Sequence, residues 1–240
     1  QIVQTMMEQR TDGVIICSSS FSAEQGSQLL SYGFPVVAVN HQAAENFHYS
    51  IYHDDEDGSR QITQHLIALG HRKIAYLGNA RSGRTTMDRL SGFTQAMQAA
   101  GLEVRQEYIY HVQGGDPALG ADSIAYYQHL AVQPTAIICF NDTLAIGVLK
   151  GCNQAGIRVP EDLSVTGFDN ITYSAFISPA LTTFDQPKYS IGEEAASLLL
   201  DLLHTEDDVH EETERVKVLQ GKLLVRSSTA APRLDSQDNH

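Results

Sequence analysis

The stretch SRQITQHLIALGHRKIAYLG, residues 59–78, places an amphipathic segment directly before a short apolar run. Apolar residues recur at helical spacing over 59–69, and Gly70 follows the last of them, which is typical of a helix C-terminus. Residues 73–78 form the kind of apolar run that becomes a strand buried on both faces. The stretch therefore predicts one helix–strand unit of an α/β fold.

The same alternation extends in both directions from this stretch. Apolar runs predict strands over 13–17, 35–40, 108–112, 136–140 and 164–168, and amphipathic segments predict helices over 22–32, 88–100, 119–130 and 143–155. After Leu181 the strand-like LTTFDQP leads to a helix over 191–204 and to two short apolar runs around Val216 and Leu224. This order predicts parallel sheets built from strand–helix–strand units.

The charge balance and the cysteines limit the classes of function. The 240 residues contain 16 Lys and Arg against 29 Asp and Glu, a net charge of −13, which excludes a general nucleic-acid binder. Cys17, Cys139 and Cys152 lack CxxC spacing, so we interpret them as reduced, buried thiols of a cytoplasmic protein. No apolar stretch is long enough to cross a bilayer, and we expect no membrane partner.

Four phrases, taken together and in order, are specific. They are HLIALGHRKIAYLG from His65, RLSGF from Arg89, FNDTLAIGVL from Phe140 and IRVPEDLSVTGFDN from Ile157. With them the chain resembles the core of the lactose/galactose repressor family over residues 11–232, and LTTFDQP and GKLLVRSST fit that family's closing segments. Each phrase alone is weak.

The resemblance implies two Rossmann-like subdomains of the periplasmic-binding-protein type I fold, with parallel sheets and three crossing segments. We expect an N-terminal subdomain from 1–52 and 187–214, a C-terminal subdomain from 53–186 and 215–232, and a disordered tail over 233–240. The family core normally opens with a strand, a helix and a second strand before the segment similar to residues 1–17. Because these and the helix-turn-helix headpiece are not seen before Gln1, we expect a truncated first subdomain.

Polar residues after predicted strands are candidates for binding an effector, since ligands of open parallel sheets collect at the carboxyl ends of the strands. Arg89 can donate paired hydrogen bonds to hydroxyls or a carboxylate, although pairing with Asp88 is the alternative. Asp169 can accept from hydroxyls, with helix N-capping as a second role. Asn141 can both donate and accept, whereas Asp142 is interpreted as the cap of the next helix.

The resemblance adds Asn40, Gln186 and Thr85 as further effector contacts. Where many relatives place an aromatic ring against a sugar, this chain has Pro117, so Tyr110 or Phe21 are the remaining candidates for stacking. An Arg89→Ala variant is expected to fold but to lose its response to the effector.

Other kinds of site are not indicated. The run HDDEDG, residues 53–58, resembles a calcium loop but lacks the first and last ligands, so we interpret it as acids at the positive start of a helix. The ten histidines have no metal-binding spacing, and no cofactor motif or nucleophile motif is present, so we expect neither a metal, nor a cofactor, nor catalysis.

The resemblance implies the effector-binding and dimerisation core of a transcription repressor. A small sugar or related metabolite would bind between the subdomains and alter operator binding through the headpiece, in a homodimer. The alternative is a periplasmic-type sugar-binding protein of a transport system, which an export signal upstream would identify. A sugar-processing enzyme is the third class, but no paired carboxylates favour it.

Overall fold

This computed structural model describes residues 11–17, 23–40, 47, 49–204 and 215–233, and the chain divides into two units. The first unit consists of residues 1–54 and 187–220, and the second of 55–186 and 221–240. The chain passes between the units three times, which is the number of crossing segments that the family resemblance implies. None of the described helices is long and apolar enough to cross a membrane.

The first unit is a parallel sheet covered by helices. Among its described residues the strand order is β1-β2-β3-β9, and every pair of neighbours is parallel. Side chains of β2 and β3 pack against the long helix α6, with Val37, Ile51, Ile191 and Ala195 in one buried cluster. The elements are β1 (Val14–Cys17), α1 (Ala23–Leu30), β2 (Val36–Val39), β3 (Tyr49–His53), α6 (Lys188–His204) and β9 (Arg215–Leu219).

The second unit is a larger, doubly covered sheet. Within its described part the order is β10-β8-β7-β6-β4-β5, and only β10 runs antiparallel, pairing with β8. The strands are β4 (Ile74–Asn79), β5 (Ile109–Val112), β6 (Ala136–Cys139), β7 (Ser164–Phe168), β8 (Thr182–Asp185) and β10 (Lys222–Leu224). The helices are α2 (Asp55–Ala68), α3 (Gly83–Ala99), α4 (Pro117–Gln128) and α5 (Asp142–Gln154).

Two hydrophobic clusters lie on opposite faces of this second sheet. Tyr76 and Phe168 point to the face covered by α2 and α3, where they meet Ile62 and Phe93. The residues that alternate with them along the strands point to the other face and pack against α4 and α5. The helix and the buried strand predicted for residues 59–78 are therefore one repeat of this layered arrangement.

Several boundaries differ from the sequence prediction. Helix α2 begins at Asp55 instead of residue 59, because Asp55, Glu56 and Asp57 occupy its first turn. Helix α3 begins at Gly83 instead of residue 88, which places Arg89 in its second turn. The apolar run around Val216 also differs, since β9 pairs with β3 in the first unit rather than joining the second.

The burial that we expected for the cysteines is confirmed for two of the three thiols. Cys139 and Cys152 are buried and free, whereas Cys17 is exposed at the end of β1, an edge strand of the described part of the first sheet. Burial is the main reason that the pKa of Cys152 rises to about 12. The predicted tail beyond residue 233 lies outside the described residues, as does Phe21.

A buried histidine fastens the closing segment of the chain to the second sheet. His71 Nε2 lies 2.9 Å from the carbonyl oxygen of Ala230, and Nδ1 lies 2.8 Å from Oγ1 of Thr135. A carbonyl only accepts, so Nε2 carries the proton and donates it to Ala230. Burial lowers the pKa of His71, which keeps the ring neutral.

Candidate functional site

Four adjacent strands of the second sheet end in polar side chains. Asn79 is the last residue of β4, and Asn141 follows β6 after one intervening residue. Asp169 comes directly after β7, and Gln186 directly after β8. The strands are parallel neighbours, so their carboxyl ends share one edge of the sheet. This edge is the candidate functional site.

Arg89 is the central cation of the site, and its guanidinium is almost fully enclosed. Nε donates to Asp55 Oδ1 at 2.6 Å, Nη1 donates to the carbonyl oxygen of Phe140, and Nη2 lies 3.6 Å from Asp169 Oδ1. The guanidinium carbon lies 3.6 Å from the centre of the Phe168 ring and 4.6 Å from that of Phe140. The side chain is only 5% exposed, so its position is fixed by the protein.

Two carboxylates keep this buried arginine charged. Burial on its own would lower the pKa of Arg89, but the negative charges of Asp55 and Asp169 outweigh that effect and raise it. The alternative pairing with Asp88 is not what the structure shows, because Asp88 accepts from Arg84 at 2.9 Å. Arg89 of α3 thus pairs with Asp55 of α2 and not with a residue of its own helix.

The glycine of the RLSGF phrase explains how the two helices meet. A Cβ atom on Gly92 would lie 2.0 Å from the carbonyl oxygen of Glu56 and 3.0 Å from the backbone nitrogen of Arg60. No other residue type therefore fits where α3 crosses the first turn of α2. This close approach brings Asp55 within hydrogen-bond reach of Arg89.

Asp169 links Arg89 to the end of β8. Its Oδ1 accepts from Gln186 Nε2 at 2.5 Å, and its side chain remains 29% exposed. The residue has a φ of 104°, so the backbone turns sharply at the strand end. Asp169 is not a helix N-cap, since the next helix is a short 3-10 turn at Thr172–Ala175 preceded by Ile171. Its carboxylate is directed to the site instead.

Asn141, and not Asp142, caps the helix that follows β6. Asn141 caps α5, because its Oδ1 accepts from the backbone nitrogen of Leu144 at 2.9 Å. Its Nδ2 is directed toward Gly115, where an added Cβ would lie only 3.0 Å away. The oxygen of this amide therefore caps α5, and its nitrogen faces the loop after β5.

The expectation that Asp142 caps the helix is wrong. Asp142 is buried beneath the site, where it accepts from the backbone nitrogen of Ile171 at 2.8 Å and from Thr183 Oγ1 at 2.6 Å. Burial raises the pKa of this carboxyl to about 6, although both hydrogen bonds oppose the shift. Asp142 thus ties the loop after β7 to β8 and supports the position of Asp169.

Of the remaining predicted residues, Gln186 and Thr85 lie in the second unit and Asn40 lies in the first. Gln186 joins the site through Asp169, and Thr85 lies one helical turn before Arg89 on α3 with its side chain half-buried. Asn40 belongs to the first unit, where it follows β2 with a φ of 57° and its Oδ1 lies 3.4 Å from His53 Nδ1. The second unit therefore brings Arg89, Asp169 and Gln186 together.

Of the two aromatic candidates, Tyr110 makes another contact, and Phe21 lies outside the described residues. Tyr110 stacks on Tyr126 with ring centroids 4.2 Å apart, within the cluster under α4. Pro117 is the first residue of α4 and is exposed. The rings found at the site are those of Phe140 and Phe168, and both of them face Arg89.

Sequence reasoning missed two residues of the site. Asp55 was interpreted only as one acid of a helix start, because the run HDDEDG does not indicate which carboxylate turns inward. Asn79 ends β4 with 7% exposure, accepts from the backbone nitrogen of Arg81 at 3.0 Å and donates to Ser82 Oγ at 2.7 Å. Its position after an apolar run was a usable signal, the same one that identified Asn141.

Comparisons with known proteins agree with this architecture. The model of the periplasmic binding protein-like domain family matches residues 63–229. The chain is 33% identical over 229 residues to the HTH-type transcriptional repressor PurR of Vibrio vulnificus, covering 94% of this chain and 66% of that repressor. The chain thus spans slightly less than two thirds of this relative's length.

Solved structures of regulators have the same fold. A regulatory protein of the LacI family from Chloroflexus aggregans superposes with a TM-score of 0.85 at 28% identity, covering 95% of this chain and 81% of that one. A LacI family transcriptional regulator from Enterococcus faecium, solved with bound ribose, gives a TM-score of 0.82 at 27% identity, covering 96% and 83%. The chain belongs to the periplasmic binding protein-like domain family, and it corresponds to the core region of PurR and LacI family regulators.

Proposed function

We propose that this chain binds a sugar or a related hydroxylated metabolite and that, in the full-length protein, this binding alters the affinity for operator DNA. The relatives are transcriptional repressors rather than enzymes, and the structure of the Enterococcus faecium regulator contains ribose. The net charge of −13 makes this chain unsuited to contact DNA itself, so operator binding belongs to a separate headpiece. The expected setting is the bacterial cytoplasm, where the operator is.

The observation that carries the proposal is the pair formed by Arg89 and Asp169, a donor and an acceptor side by side. Nη2 and Oδ1 are 3.6 Å apart, which is beyond direct hydrogen-bond distance. A ligand hydroxyl that lies beside this pair, within hydrogen-bond reach of both atoms, accepts from the guanidinium and donates to the carboxylate, so both hydrogen-bonding roles of the hydroxyl are used. Gln186, bonded to the same carboxylate oxygen, fixes the direction of that acceptor.

Calorimetric titration of neutral sugars, D-ribose among them, onto the chain tests this proposal directly. Binding is expected for at least one sugar, and Asp169→Asn should weaken it at least tenfold because the carboxylate acceptor is lost. Asp122→Asn is the matched control, since Asp122 is an exposed acid on α4 and its loss should leave binding unchanged. An equal loss in both variants would contradict the assignment of the site.

Operator binding supplies the second test. Fluorescence anisotropy of labelled operator DNA with the full-length protein should change when the bound sugar is added, and Asp169→Asn should require correspondingly more sugar for the same change. A full-length protein whose DNA affinity ignores a sugar that binds the chain would refute the regulatory part of the proposal. It would leave the binding part intact.

We further propose that the full-length protein acts as a homodimer. The second unit exposes two large aromatic side chains on or beside its 3-10 turn, Tyr173 at 71% and Phe176 at 81%. Exposed aromatic residues next to one another are typical of association surfaces. Sedimentation velocity should give a dimer for the wild type and a shift toward monomer for Phe176→Asp, whereas a monomeric wild type at micromolar concentration would contradict the proposal.

A further inference from the structure

We propose that Asp55 is a specificity-determining residue that makes the site select neutral hydroxylated ligands and reject anionic ones. The inference rests on the proposed function, since it concerns which effectors the Arg89 site accepts. Asp55 accepts from Nε of Arg89, whereas Nη2 is the nitrogen that lies near Asp169. It acts on the ligand through the arginine.

The first reason is the charge balance around the guanidinium. Arg89 contacts two carboxylates, Asp55 at 2.6 Å and Asp169 at 3.6 Å, so the three groups together carry one net negative charge. The side chains of Arg89 and Asp55 are 5% and 8% exposed, and their interaction is therefore weakly screened. An anionic ligand placed against Asp169 would add a third negative group to one cation.

The second reason is that the donors of Arg89 already face protein oxygens. Nε faces Asp55, Nη1 faces the carbonyl of Phe140, and Nη2 faces Asp169. Carboxylates and phosphates are bound best by an arginine that offers two parallel N–H groups along one edge. Asp55 uses the N–H of Nε, so the edge formed by Nε and Nη2 is not available to such a ligand. A hydroxyl needs only the single donor at Nη2.

The third reason is that Asp55 is held in place by the backbone. It lies in the first turn of α2, and Gly92 allows α3 to approach that turn so closely that an added Cβ would meet Glu56 at 2.0 Å. This close helix packing keeps the backbone of Asp55 near Arg89, so the two side chains lie within hydrogen-bond reach. An anion that displaced Asp55 from Arg89 would leave a buried carboxylate without its cation.

A matched pair of ligands tests the inference. D-ribose is neutral and D-ribonate carries a carboxylate on the same carbon skeleton, and inorganic phosphate serves as a second anion. Isothermal titration calorimetry on the wild-type chain should find D-ribonate and phosphate bound at least tenfold more weakly than the neutral sugar that binds best. Asp55→Asn should bind both anions at least tenfold more tightly than the wild type, because removal of one buried negative charge makes the cluster neutral instead of negative.

Asp57→Asn is the control for the general field of the protein. Asp57 lies in the same helical turn, but it accepts from Arg60 and from Gln61 instead of Arg89. Its removal changes the net charge by the same amount, so Asp57→Asn should leave anion binding within about twofold of the wild type. Asp55→Glu keeps the charge and should keep the rejection of anions. Circular dichroism spectra and thermal unfolding establish that each variant is folded.

Three results would overturn the inference. They are anion binding by Asp55→Asn no tighter than by the wild type, an equal gain in Asp57→Asn, or a wild type that binds D-ribonate as tightly as the best neutral sugar. The wild-type comparison needs no variant and holds even if Asp55→Asn does not fold. Failure of every neutral sugar to bind the wild type would instead refute the proposed function, so the two failures are distinguishable.

Discussion

Replacing Arg89 by methionine should destabilise the second unit, because the substitution leaves a buried carboxylate without its cation. The sequence alone led us to expect that an Arg89 variant would fold normally and lose only its response to the effector. The structure changes that expectation, since Asp55 is only 8% exposed and its Oδ1 receives the Nε donor at 2.6 Å. Methionine is chosen because it fills a similar volume, so a cavity contributes little.

The magnitude follows from the kind of interaction that is lost. Removing one partner of a buried ion pair costs about 3–5 kcal/mol, most of it from the uncompensated charge that remains. The contacts of the guanidinium with the Phe168 and Phe140 rings add about 1–2 kcal/mol where they are desolvated. Removing both charges together, as in Arg89→Met with Asp55→Asn, should cost about 2 kcal/mol less than the sum of the two single changes.

A double-mutant cycle measures this coupling. Urea unfolding followed by circular dichroism at pH 7.5 gives the free energy of unfolding for the wild type, both single variants and the double variant. The matched control is the cycle for Arg158 and Asp162, which also lie 2.6 Å apart but are exposed, so that water and salt screen them. A coupling for Arg89 and Asp55 as small as that of the exposed pair would refute the reasoning.

Three further predictions concern groups that support the site. Burial raises the pKa of Asp142 to about 6, so the native chain holds this proton more tightly than the unfolded chain and stability falls as pH rises from about 4 to about 6. Asp142→Asn should flatten that slope in urea titrations at pH 4.5 and 7. Burial lowers the pKa of His71, so the contribution of its neutral ring to the stability of the chain is complete above pH 6.5 and is lost as pH falls. His71→Gln should cost about 1–3 kcal/mol of stability at pH 8 and should reduce the loss of stability at acid pH. NMR titration of the wild type should find His71 neutral at pH 6.5. Gly92→Ala should cost at least about 2 kcal/mol and weaken sugar binding, because its Cβ would collide with Glu56, whereas Gly192→Ala, in open space, should be neutral or stabilising by thermal unfolding.

The layered α/β fold was predictable because its signal is local and repeated. Helical and strand periodicities differ, and each helix of the second unit is followed by glycine or by a turn, so element type is readable from windows of a dozen residues. The partner of a short strand is not local. Residues 215–219 are separated from β3 by about 160 positions, and nothing in RVKVL indicates which sheet it joins.

The motif phrases identified strand ends that carry polar side chains of the candidate site, but they did not identify the contacts between these side chains. Arg89, Asp169 and Gln186 were predicted and do lie together. Asn141 and Asp142 are both good helix caps, and the choice between them depends on Thr183, a side chain 41 residues away that takes Asp142 into the interior. Such a competition between a local and a distant hydrogen bond is decided by packing and cannot be read from spacing.

The enclosure of Arg89 favours ligand recognition more than it favours the stability of the fold. A buried ion pair gains little over hydrophobic residues of the same size, because both charges lose their hydration. What this pair does achieve is orientation. Asp55, the Phe140 carbonyl and two aromatic rings fix the guanidinium on three sides, so Nη2 stays directed at Asp169 across 3.6 Å without further loss of side-chain entropy when a ligand binds. A fixed donor and a fixed acceptor side by side can both be used by one hydroxyl that lies next to them, and this is why the site is expected to discriminate among effectors by their hydroxyl groups.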